Sequence, residues 1–233
     1  MDKKQNTEKA IVLVSGGMDS LVTLAIALKK HDVAALHVNY GQRTQSRELL
    51  AFKKICDFYK IKERQIVDIA YLAKIGGSAL TDKSFAIPRS DKPGKPHAKA
   101  GAIPVTYVPF RNTNIIAIAV SWAEVLGAKR IFIGAVEEDG SGYPDCRKSY
   151  YEAFNKLIKE GTKPGSGIRI ETPLIRMSKG EIVKKGFTLK VPFSLSWSCY
   201  GSSKKACGVC DSCRLRLKGF AEANQKDPLP YSK

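Results

Sequence analysis

The chain has 233 residues, of which 43% are hydrophobic and 26% are charged. This length and composition suffice for one α/β domain with a proper core, or for such a domain with a small appendage. No run of about 18 apolar residues is present, which argues against a transmembrane helix. The polar N-terminus also has no apolar targeting segment. We therefore expect a cytoplasmic protein with no membrane partner.

The net charge of +17 is large. It is compatible with a nucleic-acid partner, with a polyanionic substrate such as ATP, or with a generally basic proteome. The Lys and Arg residues are spread along the whole chain rather than gathered in one arm. This dispersal weakens the case for nucleic acid, although folding can regroup the charges on one surface.

Short β-branched runs alternate with longer segments of helical apolar spacing. Such alternation predicts an α/β fold with a Rossmann-like parallel sheet and helices on both faces. The predicted strands are 10–14, 33–38, 65–69, 130–135 and, at an edge, 168–171. The predicted helices are 21–29, 45–59, 115–126, 149–159 and 179–185. Residues 76–104 carry four Pro and four Gly, and predict a long loop or lid.

Four cysteines lie near the end of the chain, at Cys199, Cys207, Cys210 and Cys213. The last three are each separated by two residues, a spacing that lets thiolates hold one ion from a tight turn. Four thiolates leave no open position for water, so the pattern predicts one structural Zn²⁺. Disulfides are disfavoured because the missing secretory signal indicates a reducing compartment. Of the other two cysteines, Cys56 is expected in the core.

A second signal follows the first predicted strand. It reads Ser15-Gly16-Gly17-Met18-Asp19-Ser20, and the first helix comes next. The glycine pair lets backbone N–H groups approach an anion, and the helix offers its positive N-terminus. Neither Gly-x4-Gly-Lys-Ser/Thr nor Gly-x-Gly-x-x-Gly occurs here, which argues against a Walker-type or a dinucleotide site.

The hexapeptide resembles the PP-loop, Ser-Gly-Gly-x-Asp-Ser, of the ATP pyrophosphatases. Members of this group activate an oxygen of their substrate with ATP, and a nitrogen or sulfur nucleophile then displaces it. The resemblance implies that Ser15, Gly16, Gly17, Met18, Asp19 and Ser20 hold the phosphates of ATP. Asp19 is expected to position Mg²⁺ or a loop hydroxyl, and an N-cap of the helix is its structural alternative.

Further segments resemble one branch of that group, the 7-cyano-7-deazaguanine synthases of the queuosine pathway. The resemblance covers about residues 10–220. It rests on Val108-Pro109-Phe110-Arg111-Asn112, Gly142-Tyr143-Pro144-Asp145-Cys146-Arg147, Thr172-Pro173-Leu174 and the Trp197-Ser198-Cys199-Tyr200 segment before the cysteine cluster. The one departure is Phe110, which stands where the family is expected to have Gly.

The resemblance implies an ATP-dependent C–N ligase that converts 7-carboxy-7-deazaguanine and ammonia into the 7-cyano compound. Arg111 would pair with phosphate or with the substrate carboxylate, and Asn112 would bond adenine or ribose; a structural turn is the alternative for both. Lys179 would stabilise charge on phosphate, and a solvated surface side chain is its alternative. Tyr143, Asp145 and Arg147 would hold the deazaguanine, or else form a surface turn. The planar ring would stack on Trp197 and Tyr200, or else these residues pack the cysteine cluster against the main domain.

We expect two units, an ATP-binding domain at 1–190 and a zinc segment at 191–233 packed on it. Family resemblance further implies a homodimer. The alternative function is that of a tRNA-modifying PP-loop enzyme, which the charge favours. A thiolase of that kind would be expected to have a cysteine pair near the phosphate loop, and Cys-x-x-Cys occurs only in the C-terminal cluster.

Overall fold

A computed structural model describes residues 7–89, 102–137 and 142–232. Its β-strands are β1 (Lys9–Leu13), β2 (Asp32–Asn39), β3 (Arg64–Asp68), β4 (Arg130–Phe132) and β5 (Arg169–Glu171). Its α-helices are α1 (Met18–Ala27), α2 (Gln45–Phe58), α3 (Tyr71–Ile75), α4 (Arg111–Leu126), α5 (Lys148–Gly161), α6 (Lys179–Thr188) and α7 (Asp211–Glu222). Two 3₁₀ turns lie at Pro144–Cys146 and Phe193–Leu195.

The five strands form one parallel sheet in the order β3-β2-β1-β4-β5. The chain first builds outward from β1 to β3, and then crosses over to add β4 and β5 on the other side. The strand order therefore reverses between β1 and β4. Open α/β sheets bind ligands at the carboxyl end of the strands beside such a reversal. The predicted fold class is confirmed.

Alternate residues of β1 supply two hydrophobic cores, one on each face of the sheet. Ala10 and Val12 point to the core shared with α1, α2 and α6. Ile11 and Leu13 point to the core shared with α4 and α5. All four residues are buried, which explains why the strand appears in the sequence as a continuous apolar run. Among the described residues, no helix is both long and apolar enough to cross a membrane.

Several helices and strands begin or end at residues other than those predicted. Strand β4 ends at Phe132 rather than at residue 135. Ile133 still donates its N–H to the Glu171 carbonyl at 3.1 Å, and Ile133, Gly134 and Ala135 line a cavity. Helix α1 begins at Met18, inside the predicted phosphate loop. Helices α3 and α7 were not predicted. Within the predicted loop, residues 76–89 and 102–104 contain neither helix nor strand, and residues 90–101 lie outside the described residues.

Candidate functional site

Strand β1 leads into the predicted phosphate loop, residues 15–20, whose residues are hydrogen-bonded to one another. The Ser15 hydroxyl accepts from the N–H of Gly17 at 3.2 Å and donates to the Ser20 hydroxyl at 3.1 Å. The Ser20 hydroxyl in turn donates to the Gly17 carbonyl at 2.9 Å. Gly17 is the N-cap of α1 and makes no side-chain cap hydrogen bond. The first-turn N–H groups of α1 can therefore bind an anion.

Gly16 is required by its backbone and by its neighbours. Its φ is +90°, and an added Cβ would lie 2.7 Å from the carbonyl oxygen of Glu48 in helix α2. A side chain would therefore be strained and would also push α2 away from the loop. The Gly16 carbonyl accepts from the N–H of Trp197 at 2.8 Å. The loop thus contacts both α2 and the C-terminal segment.

Asp19 and Lys179 form an ion pair at the N-terminal ends of two helices. The Lys179 Nζ lies 2.8 Å from the Asp19 Oδ2, and the side chain of Lys179 is only 10% exposed. Lys179 follows Ser178, which forms a capping box with Glu181 at the start of α6. The capping box fixes the direction of α6 and so aims the ammonium group at the loop. The other Asp19 oxygen, Oδ1, is buried and has no hydrogen-bond partner among the described residues.

Arg111 and Asn112 open helix α4 at the same edge of the sheet. The Arg111 Nη1 donates to the Tyr40 hydroxyl at 3.2 Å, and the guanidinium carbon lies 5.2 Å from the Tyr40 ring centroid. Burial raises the pKa of Tyr40 to about 12, so Tyr40 remains a neutral phenol. Burial alone would lower the pKa of Arg111, but its neighbours Tyr40 and Asp145 raise it. The Arg111 guanidinium is therefore a fixed positive charge.

One cavity of about 280 Å³ brings most of the predicted ATP site together. The predicted residues that line it are Ser15, Gly17, Met18, Asp19, Ser20, Arg111 and Asn112. Gly16 and Lys179 do not line the cavity themselves, but both contact residues that do. The lining also contains apolar residues of β1, β2, α4 and the segment after β4: Leu13, Leu36, Val38, Ile115, Ile133 and Ala135. Such a mixture of apolar wall and phosphate loop suits a nucleotide.

Tyr143, Asp145 and Arg147 are not among the residues that line this cavity. Asp145 is buried, and its carboxylate accepts from the N–H of Asn112 at 3.1 Å. It therefore caps the first turn of α4 and holds Asn112 at the cavity. The Tyr143 hydroxyl donates to Thr106 at 2.8 Å. Arg147 is exposed at the N-cap of α5.

Cys146 lines the cavity although the two residues before it do not. Its Sγ lies 3.5 Å from the side-chain nitrogen of Asn112. Burial, and then the charge of Asp145, raise the pKa of Cys146 to about 11. Cys146 is therefore a protonated thiol near neutral pH, which makes it a poor nucleophile.

The sequence patterns missed four polar residues of the lining: Tyr40, Glu48, Ser198 and Ser212. Tyr40 directly follows β2, so its position at the carboxyl end of a strand could have identified it. Glu48 is one of several polar residues on the amphipathic helix α2, so no local pattern distinguishes it. Ser198 and Ser212 each precede a cysteine of the C-terminal cluster, and the spacing of the cysteines gives no reason to select these serines.

The four cysteines form a cluster beside the cavity. The sulfur atoms of Cys199, Cys207, Cys210 and Cys213 all lie within 4.8 Å of one another, and three of these residues are buried. The backbone N–H groups of Cys207 and Cys210 donate to the sulfurs of Cys199 and Cys207 at 3.3 and 3.4 Å. Hydrogen bonds from the Cys210 and Cys213 thiols lower the pKa of Cys199. The cluster can hold a metal ion in a shell of four sulfurs.

Trp197 packs the cluster against the α/β domain. It is 1% exposed, and the Arg47 guanidinium carbon lies 4.4 Å from its ring centroid. Its indole N–H donates to the Ser202 carbonyl at 3.2 Å. Arg47 covers one face of the ring, which favours the packing alternative, and Trp197 also lines the cavity. Tyr200 lines the cavity and contacts two hydrophobic cores.

Comparisons with known proteins agree with one another. The family model described as queuosine biosynthesis protein QueC matches residues 9–224. The chain is 60% identical over 224 residues to the 7-cyano-7-deazaguanine synthase of Chlorobium phaeobacteroides, strain DSM 266, covering 96% of each chain. It is 57% identical to that of Chloroherpeton thalassium with the same coverage.

Among solved structures, the U34-tRNA thiolase NcsA from Methanococcus maripaludis with its [4Fe-4S] cluster is similar, with a TM-score of 0.52. The similarity covers 94% of this chain and 70% of that chain, at 15% identity. At that identity the match shows a shared fold and carries no information about substrates.

Proposed function

The chain belongs to the family of the queuosine biosynthesis protein QueC, and on that premise we propose that it is the 7-cyano-7-deazaguanine synthase of its host. It converts 7-carboxy-7-deazaguanine, ammonia and ATP into the nitrile. The observation that carries this proposal is one cavity lined both by the phosphate loop and by the segment that leads into the cysteine cluster.

ATP supplies the leaving groups that this reaction requires. A carboxylate is a poor electrophile because an oxide or hydroxide would have to depart. Transfer of an adenylyl or phosphoryl group to the carboxylate oxygen removes that obstacle, and ammonia then displaces the activated oxygen to give an amide. A second activation, now of the amide oxygen, lets that oxygen leave as the amide nitrogen loses its two protons and becomes the nitrile nitrogen. The enzyme is thus an ATP-dependent C–N ligase.

The loop from Ser15 to Ser20 holds the phosphates through its N–H groups and hydroxyls. Lys179 neutralises charge that develops on the departing phosphate, and Arg111 pairs with phosphate or with the substrate carboxylate. The unpartnered Asp19 Oδ1 supports a role for Asp19 in positioning Mg²⁺ that accompanies ATP. Asn112 contacts the nucleoside from the apolar side of the cavity.

The cysteine cluster holds one Zn²⁺ in a structural role. Four thiolates suit Zn²⁺ and leave no position open for water or substrate. We assign the segment 191–233 to this second unit, packed on the ATP-binding domain at 1–190. In keeping with the family, we expect a cytoplasmic homodimer whose partners are small molecules and not RNA.

The test is a mass-spectrometric assay with ATP, Mg²⁺, ammonium and 7-carboxy-7-deazaguanine. We expect a nitrile product with consumption of ATP, and the same run identifies the nucleotide product as AMP or ADP. An Asp19→Ala variant should lose at least about 100-fold in rate, since it removes both the carboxylate proposed to position Mg²⁺ and the ion-pair partner of Lys179. A folded, metal-loaded protein that gives no conversion would refute the proposal and would direct attention to tRNA.

A further inference from the structure

Glu48 is a carboxylate in a cavity that must accept anions. It lies in the first turns of α2, lines the cavity, and its backbone packs on Gly16 of the phosphate loop. ATP carries a polyphosphate and the proposed substrate carries a carboxylate. A fixed negative charge opposes both ligands unless it has a separate partner on one of them.

The carboxylate of Glu48 is held rigidly by neutral donors. Its Oε1 accepts from the Thr44 hydroxyl at 2.6 Å, and its Oε2 accepts from the Gln42 amide at 3.0 Å. Gln42 is fixed in turn, because its own oxygen accepts from the Tyr40 N–H at 2.9 Å. Each carboxylate oxygen can accept a second hydrogen bond. No Lys, Arg or His of the described residues forms an ion pair with Glu48.

The other carboxylates near the cavity are already engaged. Asp19 pairs with Lys179 at the phosphate loop. Asp145 caps helix α4 and does not line the cavity. Within the part of the chain that the structure describes, Glu48 is therefore the acidic residue that lines the cavity and has no cationic partner.

The two ring systems that enter this cavity differ on one edge. A guanine-type ring presents two adjacent donors, the ring N1–H and the 2-amino group, which match two oxygens of one carboxylate. The corresponding edge of adenine presents an acceptor at N1, which a carboxylate repels. The lining offers hydrogen-bond acceptors for the first ring at Glu48, Ser198 and Ser212, and its apolar residues can pack on the face of either ring.

We propose, on the basis of the proposed function, that Glu48 determines specificity by accepting hydrogen bonds from N1–H and the 2-amino group of the deazaguanine ring. It would also keep the adenine of ATP out of the substrate position. Thr44 and Gln42 act as positioning residues that orient the carboxylate.

The test compares the parent substrate with 7-carboxy-7-deazahypoxanthine, which lacks the 2-amino group. A hydrogen bond to a charged acceptor is worth enough that its loss costs the wild type about 10–100-fold in kcat/KM. In Glu48→Gln, activity on the parent should fall by a similar factor, and the further penalty for the missing amino group should shrink to about threefold or less. The KM for ATP should change little.

Two further variants separate specificity from folding. Glu152→Gln makes the same change on an exposed helix, where the side chain is 58% exposed, and should keep the wild-type penalty. Thr44→Val keeps the Glu48 charge but removes one orienting donor, and should reduce the penalty partially. This variant tests the proposal even if Glu48→Gln does not fold.

Three outcomes would overturn the inference. An equal amino-group penalty in the wild type and in Glu48→Gln would show that Glu48 does not contact that group. Rescue of Glu48→Gln by raised Mg²⁺, with an unchanged penalty, would make Glu48 a metal ligand instead. Both outcomes leave the proposed function intact. A folded, metal-loaded wild type that neither binds nor converts the parent substrate would remove the proposed function and this inference together.

Discussion

Phe110 adopts a left-handed backbone conformation, with φ of 57° and ψ of 23°, immediately before helix α4. This conformation costs a residue with a Cβ about 1–2 kcal/mol and suits glycine. The sequence resemblance placed glycine here, and the backbone explains why. The Phe110 side chain is 61% exposed, so its packing offsets little of the strain. This turn places Arg111 and Asn112, the first two residues of α4, at the cavity.

Replacing Phe110 with Gly should therefore stabilise the protein. After subtraction of the extra unfolded-state entropy of glycine, about 0.4–1 kcal/mol, we expect the free energy of unfolding to rise by about 0.5–1 kcal/mol. For a chain of this size that raises Tm by about 1–4 °C. Urea unfolding and calorimetry measure both quantities. Phe110→Ala is the matched control because it keeps the Cβ and hence the strain. Equal stabilisation by Ala and Gly would contradict the argument.

Helix α1 and the segment after β4 meet at Gly134 without room for a side chain. An added Cβ would lie 2.9 Å from the carbonyl carbon and oxygen of Asp19 and from the backbone nitrogen of Ser20. These are backbone atoms in the first turn of α1, so they cannot move aside as a flexible side chain would. The contact fixes the phosphate loop relative to β4.

Gly134→Ala should displace the first turn of α1. We expect a loss of about 1–3 kcal/mol in the free energy of unfolding from overpacking. The KM for ATP should rise at least about tenfold, because the N–H groups and hydroxyls of the loop move together. Gly161→Ala is the control, since a Cβ there meets nothing within 4 Å and should leave both quantities nearly unchanged. Equal effects of the two substitutions would refute this account.

The elements that the sequence predicted have a strong local pattern, such as the continuous apolar run of β1 and the single apolar face of α2. Helix α7 was missed because its first residues continue the cysteine motif and because Arg216, a residue expected on the surface, is 1% exposed. Its guanidinium forms two bonds to Asp227, at 2.7 and 3.0 Å, and others to the Ser196 hydroxyl and the Phe193 carbonyl. These partners offset the cost of burying the Arg216 charge, and because they come from distant parts of the chain, the local sequence does not indicate them.

The candidate site likewise contains residues that local motifs predicted and residues that only the fold brings together. The phosphate loop and the cysteine cluster were predicted because each is a short motif whose spacing carries its own chemistry. Glu48 lines the cavity because α2 packs on Gly16. Lys179 reaches Asp19 because α6 packs on α1, although the two residues are 160 positions apart in the chain. Asp145 was expected to touch the substrate, yet the structure places it under α4. Pairings of this kind follow from topology rather than from spacing.

At the scale of the whole molecule, the cysteine cluster and the candidate ATP cavity are directly connected through the segment before the cluster. Trp197 lies two residues before Cys199 and donates its backbone N–H to Gly16 in the phosphate loop. Ser198 and Tyr200 flank Cys199 and line the cavity, and Ser212 precedes Cys213. Loss of the metal would therefore loosen one wall of the cavity as well as the C-terminal segment.

Cys210→Ser should consequently lose metal, stability and activity together. Metal binding at such sites is coupled to folding, so we expect the free energy of unfolding to fall by at least about 3 kcal/mol and Tm by about 6–12 °C. Elemental mass spectrometry measures the metal, calorimetry the Tm, and nucleotide binding the state of the cavity. Cys56→Ala is the control, because Cys56 is fully buried in the core away from the cluster and its loss leaves the four ligands in place. This control should keep the metal and bind ATP normally. A Cys210→Ser protein without metal that kept the wild-type Tm and ATP affinity would show that the cluster is not needed to hold the cavity wall.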